Sequence, residues 1–233
     1  MRALLLAAGL GTRLRPFTEQ VPKCLVPIRG KPLLGYWLDL LFGGDVHRAL
    51  VNTHYLADKV REFVARSPWR ERITLAHEDV LLGTGGTVLR NKEFFGRAAF
   101  VVAHADNLTR FDVPAFLARH ASRPAGVEIT MLTFATDAPQ TCGIVEEDSR
   151  GVVLGFHEKV PNPPGNLANG AVYVFEPTVV DFLESLGKSM IDLSTEVIPH
   201  FLGRICTFHH RGYHRDIGSL ESLRKAEAEF PGE

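Results

Sequence analysis

The feature that most constrains the fold is the regular exchange of short apolar runs with amphipathic stretches through the first half of the chain. Ala3 to Ala7 reads as a strand and Pro32 to Phe42 as a helix with Leu34, Trp37, Leu38 and Leu41 on one face. Ala49 to Thr53 is the next strand, Leu56 to Arg66 a helix, Ile73 to His77 a strand, Gly86 to Phe95 a short helix and Phe100 to Ala103 a strand that runs into Asp106. Such alternation builds an α/β fold with a mostly parallel sheet flanked by helices, which places ligands just beyond the carboxyl ends of its strands. From about Val127 the texture turns β-rich, with strands expected at Ile129 to Phe134, Gly143 to Glu146, Val152 to Glu158 and Gly170 to Phe175. Thr178 to Leu186 and Leu220 to Phe230 read as the last helices, with a strand at Thr207 to His209 between them. No linker or repeat interrupts the chain, so a single domain over 1–233 is expected, with halves of about 1–126 and 127–233.

Composition narrows the partners. Lys plus Arg number 26 against 27 Asp plus Glu, a net charge of -1, which argues against nucleic acid and against an anionic membrane surface. The longest apolar runs, such as Ala3 to Ala8, fall far short of the roughly 20 residues that cross a bilayer. Arg2 before that run resembles the start of a secretion signal. Gly9 and Gly11 interrupt it, Arg13 and Arg15 follow, and no small-x-small cleavage site appears, so a buried first strand is the expectation. The three cysteines, Cys24, Cys142 and Cys206, are odd in number and far apart, which fits neither a disulfide framework nor a thiolate zinc site and points to the reducing cytoplasm.

The segment Leu6-Ala7-Ala8-Gly9-Leu10-Gly11-Thr12-Arg13-Leu14-Arg15-Pro16 follows the first strand directly. Its glycines let the backbone approach an anion with N–H groups forward, and Arg13 and the downstream Lys23 supply charge, so it reads as a phosphate cradle. It is not the dinucleotide fingerprint, because Leu14 stands at the third glycine. Nor does Gly187-Lys188-Ser189 make a P-loop, since Phe182 replaces the leading glycine.

Together with Leu82-Gly83-Thr84-Gly85-Gly86, Asp106-Asn107, Gly143, Glu158-Lys159, Asn169-Gly170 and Asp216-Ile217-Gly218, this segment resembles the sugar-1-phosphate nucleotidyltransferases. The resemblance covers nearly the whole chain and is nearest to the mannose- and heptose-1-phosphate guanylyltransferases. It implies a Rossmann-like, GT-A-like nucleotidyltransferase domain with a nucleotide-binding first half and a β-rich sugar-binding lobe.

Further expectations follow from that resemblance. Leu6, Ala7, Ala8, Gly9, Gly11, Thr12, Arg13 and Lys23 would hold the nucleotide, with Glu78, Gly83 and Thr84 near the base and Asp106 at the phosphates. Arg13 and Lys23 would neutralise the charge that develops at phosphorus, while Asp106 and Asp216 would hold Mg²⁺, a hard cation content with two carboxylates and substrate oxygens. Asn107, Gly143, Glu158, Lys159 and Asn169 would take the sugar phosphate. The alternatives are a strand-end turn former for Asp106, a surface pair with Arg215 for Asp216 and an exposed strand-end charge for Glu78. Neighbours on a strand face opposite ways, so without a bulge only one of Glu158 and Lys159 is expected to serve the sugar. Ala105 departs from the glycine common in the family before the aspartate, and Cys24 from its proline after the lysine. The partners implied are an NTP, with GTP favoured, and a sugar 1-phosphate; a homodimer stays open.

Overall fold

The computed structural model describes residues 1–231, in two compact units. The first unit comprises Met1–Leu81, Ala103–Val113 and the chain from Gly212, and the second Leu82–Val102 and Pro114–Arg211. In chain order the strands are β1 (Arg2–Leu6), β2 (Pro27–Ile28), β3 (Lys31–Pro32), β4 (Arg48–Thr53), β5 (Ile73–His77), β6 (Phe100–His104) and β7 (Asn107–Thr109). They continue with β8 (Ile129–Ala135), β9 (Gly143–Glu147), β10 (Val153–Glu158), β11 (Leu167–Phe175), β12 (Ile205–His209) and β13 (His214–Asp216). The α-helices are α1 (Leu33–Gly43), α2 (Ala57–Arg66), α3 (Gly83–Arg90), α4 (Lys92–Phe95), α5 (Val113–Ala121), α6 (Pro177–Ser185) and α7 (Leu220–Glu229).

In the first unit β4 lies between β1 and β5, parallel to both, with Leu4 opposite Leu50 and Val51 opposite Leu75. Ala3, Leu4 and Leu5 in β1 and Ala49 to Val51 in β4 are buried, the unbroken apolar run of strands covered on both faces. Helix α1 buries Leu33, Leu34, Trp37, Leu38, Leu41 and Phe42, and the Trp37 indole N–H donates to the Asn107 carbonyl at 2.7 Å, tying the helix to β7. A second apolar cluster joins Leu14, Val26, Ile28, Leu33, Leu108 and Ile217 to Leu223, Ala226 and Phe230 near the end of the chain. It anchors the segments on which the charged groups below are mounted.

In the second unit β8 pairs antiparallel with β11 and parallel with β12, and β9 pairs antiparallel with β10 and β11. Three local departures from the sequence expectation stand out. The helix expected over Gly86 to Phe95 starts at Gly83 and breaks at Asn91, whose side chain turns back to donate to the Thr87 carbonyl at 2.8 Å. The strand expected from Gly170 begins at Leu167 and shifts register between Asn169 and Tyr173, where Ala171 has φ of 53°. Helix α5 and the three-residue pair β7 and β13 were outside the periodic pattern.

A buried polar chain crosses the second unit. His120, 3% exposed on α5, has Nδ1 2.7 Å from Thr130 Oγ1 and Nε2 3.0 Å from Glu176 Oε1, and Glu176 also pairs with Arg123 at 2.6 Å. Burial holds the His120 pKa below its ordinary 6.5, with Arg123 acting the same way and Glu176 opposing. The unfolded chain therefore takes up this proton first on acidification, so stability is lost as pH falls below 6.5 towards the lower folded value. Between about pH 7 and about pH 5, thermal unfolding of His120→Gln is expected to depend less on pH than that of the parent. Parallel profiles would remove His120 from the acid response.

Candidate active site

The phosphate-loop residues leave β1 at Leu6 and turn immediately. Gly11 has φ of 63°, and a Cβ there would lie 2.9 Å from Thr18 Cγ2 and 3.1 Å from Lys23 Cβ, so glycine is required both for the backbone and for the close packing. Thr18 donates to the Gly11 carbonyl at 2.7 Å, and the turn Thr12–Leu14 drives Leu14 into the core, pinning the loop's far end. Nothing lies within 4 Å of a Cβ built on Gly9, which leaves that backbone open to a ligand. The Ala7 N–H is already engaged, donating to Asn52 Oδ1 at 2.7 Å.

Four charged groups expected from the sequence meet in the first unit. Asp106 sits in the turn between β6 and β7, fixed by Ala105 N–H donating to the Leu6 carbonyl at 3.0 Å and Ile217 N–H donating to the Asp106 carbonyl at 3.0 Å. Asp216 ends β13 opposite Asn107 of β7. The Lys23 side chain, 8% exposed, places Nζ 2.7 Å from Asp106 Oδ2 and 3.4 Å from Asp216 Oδ1, with Arg13 Nη2 3.9 Å from Asp216 Oδ2. Asp216 thus pairs with Lys23 and Arg13, whereas Arg215 turns to Glu229 at 2.6 Å. Gly218 leaves the room for this: a Cβ there would lie 2.5 Å from Asp216 Oδ2. Burial acts to raise the Asp106 pKa, but Lys23, with His104 contributing, holds the carboxyl below its ordinary range.

The two carboxylates that flank this ammonium are hard oxygen donors of the kind that could hold Mg²⁺ together with substrate oxygens and water. Cys24, adjacent to Lys23, is buried, and burial pushes its thiol up to about 12, which leaves no thiolate for nucleophilic work.

Glu78 is 5% exposed rather than a solvated strand end, and its Oε1 accepts from Asn52 Nδ2 at 3.0 Å. Asn52 is the residue that sequence reasoning passed over; its only signal is a polar side chain near the end of an apolar parallel strand.

The remaining expected residues belong to the second unit, apart from Asn107, which is buried beside Asp106 in the first. Thr84 Oγ1 accepts from Leu193 N–H at 2.7 Å, and the Gly85 N–H donates to the Ile191 carbonyl at 2.9 Å. A Cβ on Gly83 would lie 2.5 Å from that same carbonyl, so this glycine run is shaped by packing against the Ser189 to Ile191 segment. Gly143 stands opposite Glu158 in the β9–β10 pair, and a Cβ on it would lie 2.7 Å from Glu158 Oε2. The opposite-face expectation for Glu158 and Lys159 does not hold. Strand β10 ends at Glu158, and Lys159 adopts φ of 50°, which brings its Nζ to 2.8 Å from Glu158 Oε1. Asn169 Nδ2 donates to the buried Tyr173 hydroxyl at 2.7 Å, and its Oδ1 accepts from Ala171 N–H at 2.9 Å.

The family model described as Nucleotidyl transferase matches residues 2–232. A UTP–glucose-1-phosphate uridylyltransferase of Synechocystis is 31% identical over 85% of this chain and 54% of its own length. A mannose-1-phosphate guanylyltransferase of Mycobacterium tuberculosis is 29% identical over 98% of this chain and 64% of its own. The chain thus spans about half to two thirds of the length of these relatives. Among solved structures, HddC from Yersinia pseudotuberculosis complexed with GMP-PN shares the fold, with a TM-score of 0.83, 24% identity and coverage of 99% of both chains.

Proposed function

Because this chain belongs to the nucleotidyl transferase family, we propose that it is a Mg²⁺-dependent sugar-1-phosphate nucleotidyltransferase, converting an NTP and a sugar 1-phosphate to an NDP-sugar and pyrophosphate. The observation that carries this reading is Lys23 Nζ held between Asp106 and Asp216 with Arg13 beside them. A sugar phosphate must attack an α-phosphorus that is already anionic, and preplaced cations lower that barrier without reorganising. An oxygen of the sugar phosphate forms the new bond to phosphorus as the bond to pyrophosphate breaks, and no covalent intermediate on the protein is needed.

In the first unit, the backbone from Leu6 to Thr12 follows the triphosphate, and Arg13 and Lys23 screen its charge. Asp106 and Asp216 would hold Mg²⁺, which when bound would supply further charge neutralisation at the phosphates. Asn107 lies next to these carboxylates and orients the sugar phosphate. In the second unit, Gly83 and Thr84 serve the nucleotide, and Gly143, Glu158, Lys159 and Asn169 serve the sugar. The Lys159 ammonium would meet its phosphate while the Glu158 carboxylate and the Asn169 amide accept and donate to its hydroxyls.

The favoured pair is GTP with mannose 1-phosphate or a manno-configured heptose 1-phosphate. A second reading, UTP with glucose 1-phosphate, draws on the 31% identity to the Synechocystis uridylyltransferase. Three free thiols and the absence, among the described residues, of any helix long and apolar enough to cross a membrane are consistent with cytoplasmic work.

Pyrophosphate release with Mg²⁺ tests the proposal, with GTP, UTP, dTTP, CTP and ATP each set against hexose, hexosamine and heptose 1-phosphates. Release that requires both substrates, greatest with GTP and a manno-configured sugar, is expected. A UTP and glucose 1-phosphate optimum would select the second reading, and nucleotide binding without release from any pair would favour a nucleotide-sugar sensor.

A further inference from the structure

The amide that opens the phosphate loop is held by a row of buried side chains running across three strand ends. Ala7 directly follows β1, Asn52 lies in β4 and Glu78 directly follows β5, and these strands are neighbours in the order β1, β4, β5. Asn52 Oδ1 accepts from Ala7 N–H at 2.7 Å, while Asn52 Nδ2 donates to Glu78 Oε1 at 3.0 Å. Asn52 is 3% exposed and Glu78 5%, so water offers neither a ready substitute partner. Glu78 is itself fixed by its backbone: its N–H donates to the Thr53 carbonyl at 2.8 Å, and its carbonyl lies 2.7 Å from His54 Nδ1.

An asparagine amide can be turned either way, and only one way presents oxygen to the loop. A carboxylate accepts but does not donate, so Glu78 selects the orientation with Nδ2 towards itself and Oδ1 towards Ala7. The geometry points to Asn52 as a positioning residue for the nucleotide phosphates, its amide oriented by Glu78 so that Ala7 is held and the following N–H groups of the loop keep their aim. Glu78 on this account acts through Asn52 rather than by touching the base. The inference rests on the nucleotidyltransferase reading above.

The test uses the full chain with Mg²⁺ and the substrate pair preferred by the parent, and compares Asn52→Ala, Asn52→Asp, Glu78→Gln and the Asn52→Asp/Glu78→Gln double variant. KM and kcat are measured for each substrate, together with thermal unfolding. Asn52→Ala is expected to raise KM for the NTP by about tenfold, equivalent to ~1.4 kcal/mol, and to leave KM for the sugar phosphate unchanged. Asn52→Asp sets two carboxylates within hydrogen-bonding distance and is expected to be at least as impaired. Adding Glu78→Gln supplies an amide donor to that aspartate, whose other oxygen still accepts from Ala7, and is expected to bring KM back to within about threefold of the parent.

A loss of stability that moves both KM values together, with no recovery in the double variant, would reduce Asn52 to a structural role. A changed base preference in Glu78→Gln alone would make Glu78 a base contact and overturn the account. Parent-like kinetics in Asn52→Ala would overturn this inference alone, whereas a parent chain that binds no nucleotide overturns the functional reading and this one with it.

Discussion

Lys23→Met is expected to lower kcat for NDP-sugar formation by about 100- to 1,000-fold, the range lost when one charge-stabilising donor is removed from a transition state. Methionine keeps the buried stem of the side chain, which is 8% exposed, and removes only the ammonium. Breaking a fully buried ion pair costs about 3–5 kcal/mol of stability. Here the partner carboxylates are 39% and 54% exposed, so water screens what remains and the cost is nearer that of a surface pair, about 1 kcal/mol. The variant should therefore fold, and the loss can be read as chemistry. Arginine is not a conservative replacement: its planar fork cannot take the place of a compact ammonium set 2.7 Å and 3.4 Å from two different carboxylates. Pyrophosphate release and thermal unfolding, measured side by side on Lys23→Met and Lys23→Arg, check this. Turnover within about tenfold of the parent for Lys23→Met would leave Lys23 a structural partner of the two aspartates.

The parts of the molecule legible in its sequence are those where one physical cause dominates. Strand β5 has the bounds expected, Ile73–His77, and β1 and β4, whose apolar runs are buried, differ from theirs by one residue, because short runs between turn signals announce parallel strands. Arg13 and Lys23 read as the charges of a phosphate cradle, whereas the metal role of Asp106 and Asp216 comes from the family resemblance, and periodicity could not have joined the four. Asp106 and Asp216 meet through β7 and β13, three residues each, too short for a pattern of any period. Lys159 is named by the resemblance, but its conformation is not legible: a lysine with φ of 50° ends the strand where alternation would carry it onward, and nothing local asks for that conformation. The segment from Leu82 to Gly86 is known from the resemblance alone, and what its glycines at 83 and 85 meet is hidden from the sequence: each lies against Ile191, more than a hundred positions away. Asn52 looks like a lapse in an apolar strand until Ala7 and Glu78 are seen on either side of it.

Asp106→Asn and Asp216→Asn are each expected to lower Mg²⁺-dependent turnover by at least about 100-fold, since even partners one shell removed from a metal are worth 10- to 100-fold. An asparagine keeps size and hydrogen bonding, so the change isolates the negative charge. The acid side of the stability curve provides an independent readout for Asp106. Its folded pKa lies below 3.8, so the group contributes stability that is present above 3.8 and lost as pH falls through the folded value. Asp106→Asn should flatten the unfolding profile in that acid range, and Lys23→Met, which removes the chief cause of the depression, should flatten it in part. Gly218→Ala separates the position of the Asp216 carboxylate from its charge. The added Cβ would lie 2.5 Å from Asp216 Oδ2 and 3.0 Å from Arg13 Nη2, both at the ends of flexible side chains, so the fold should tolerate it while the carboxylate is pushed aside. Every charge is then present and only its place is wrong; turnover reduced by about tenfold or more, with thermal unfolding near that of the parent, is expected. If Gly218→Ala turns over like the parent while Asp216→Asn does not, charge at this position suffices and the placement set by Gly218 has no part in the reaction.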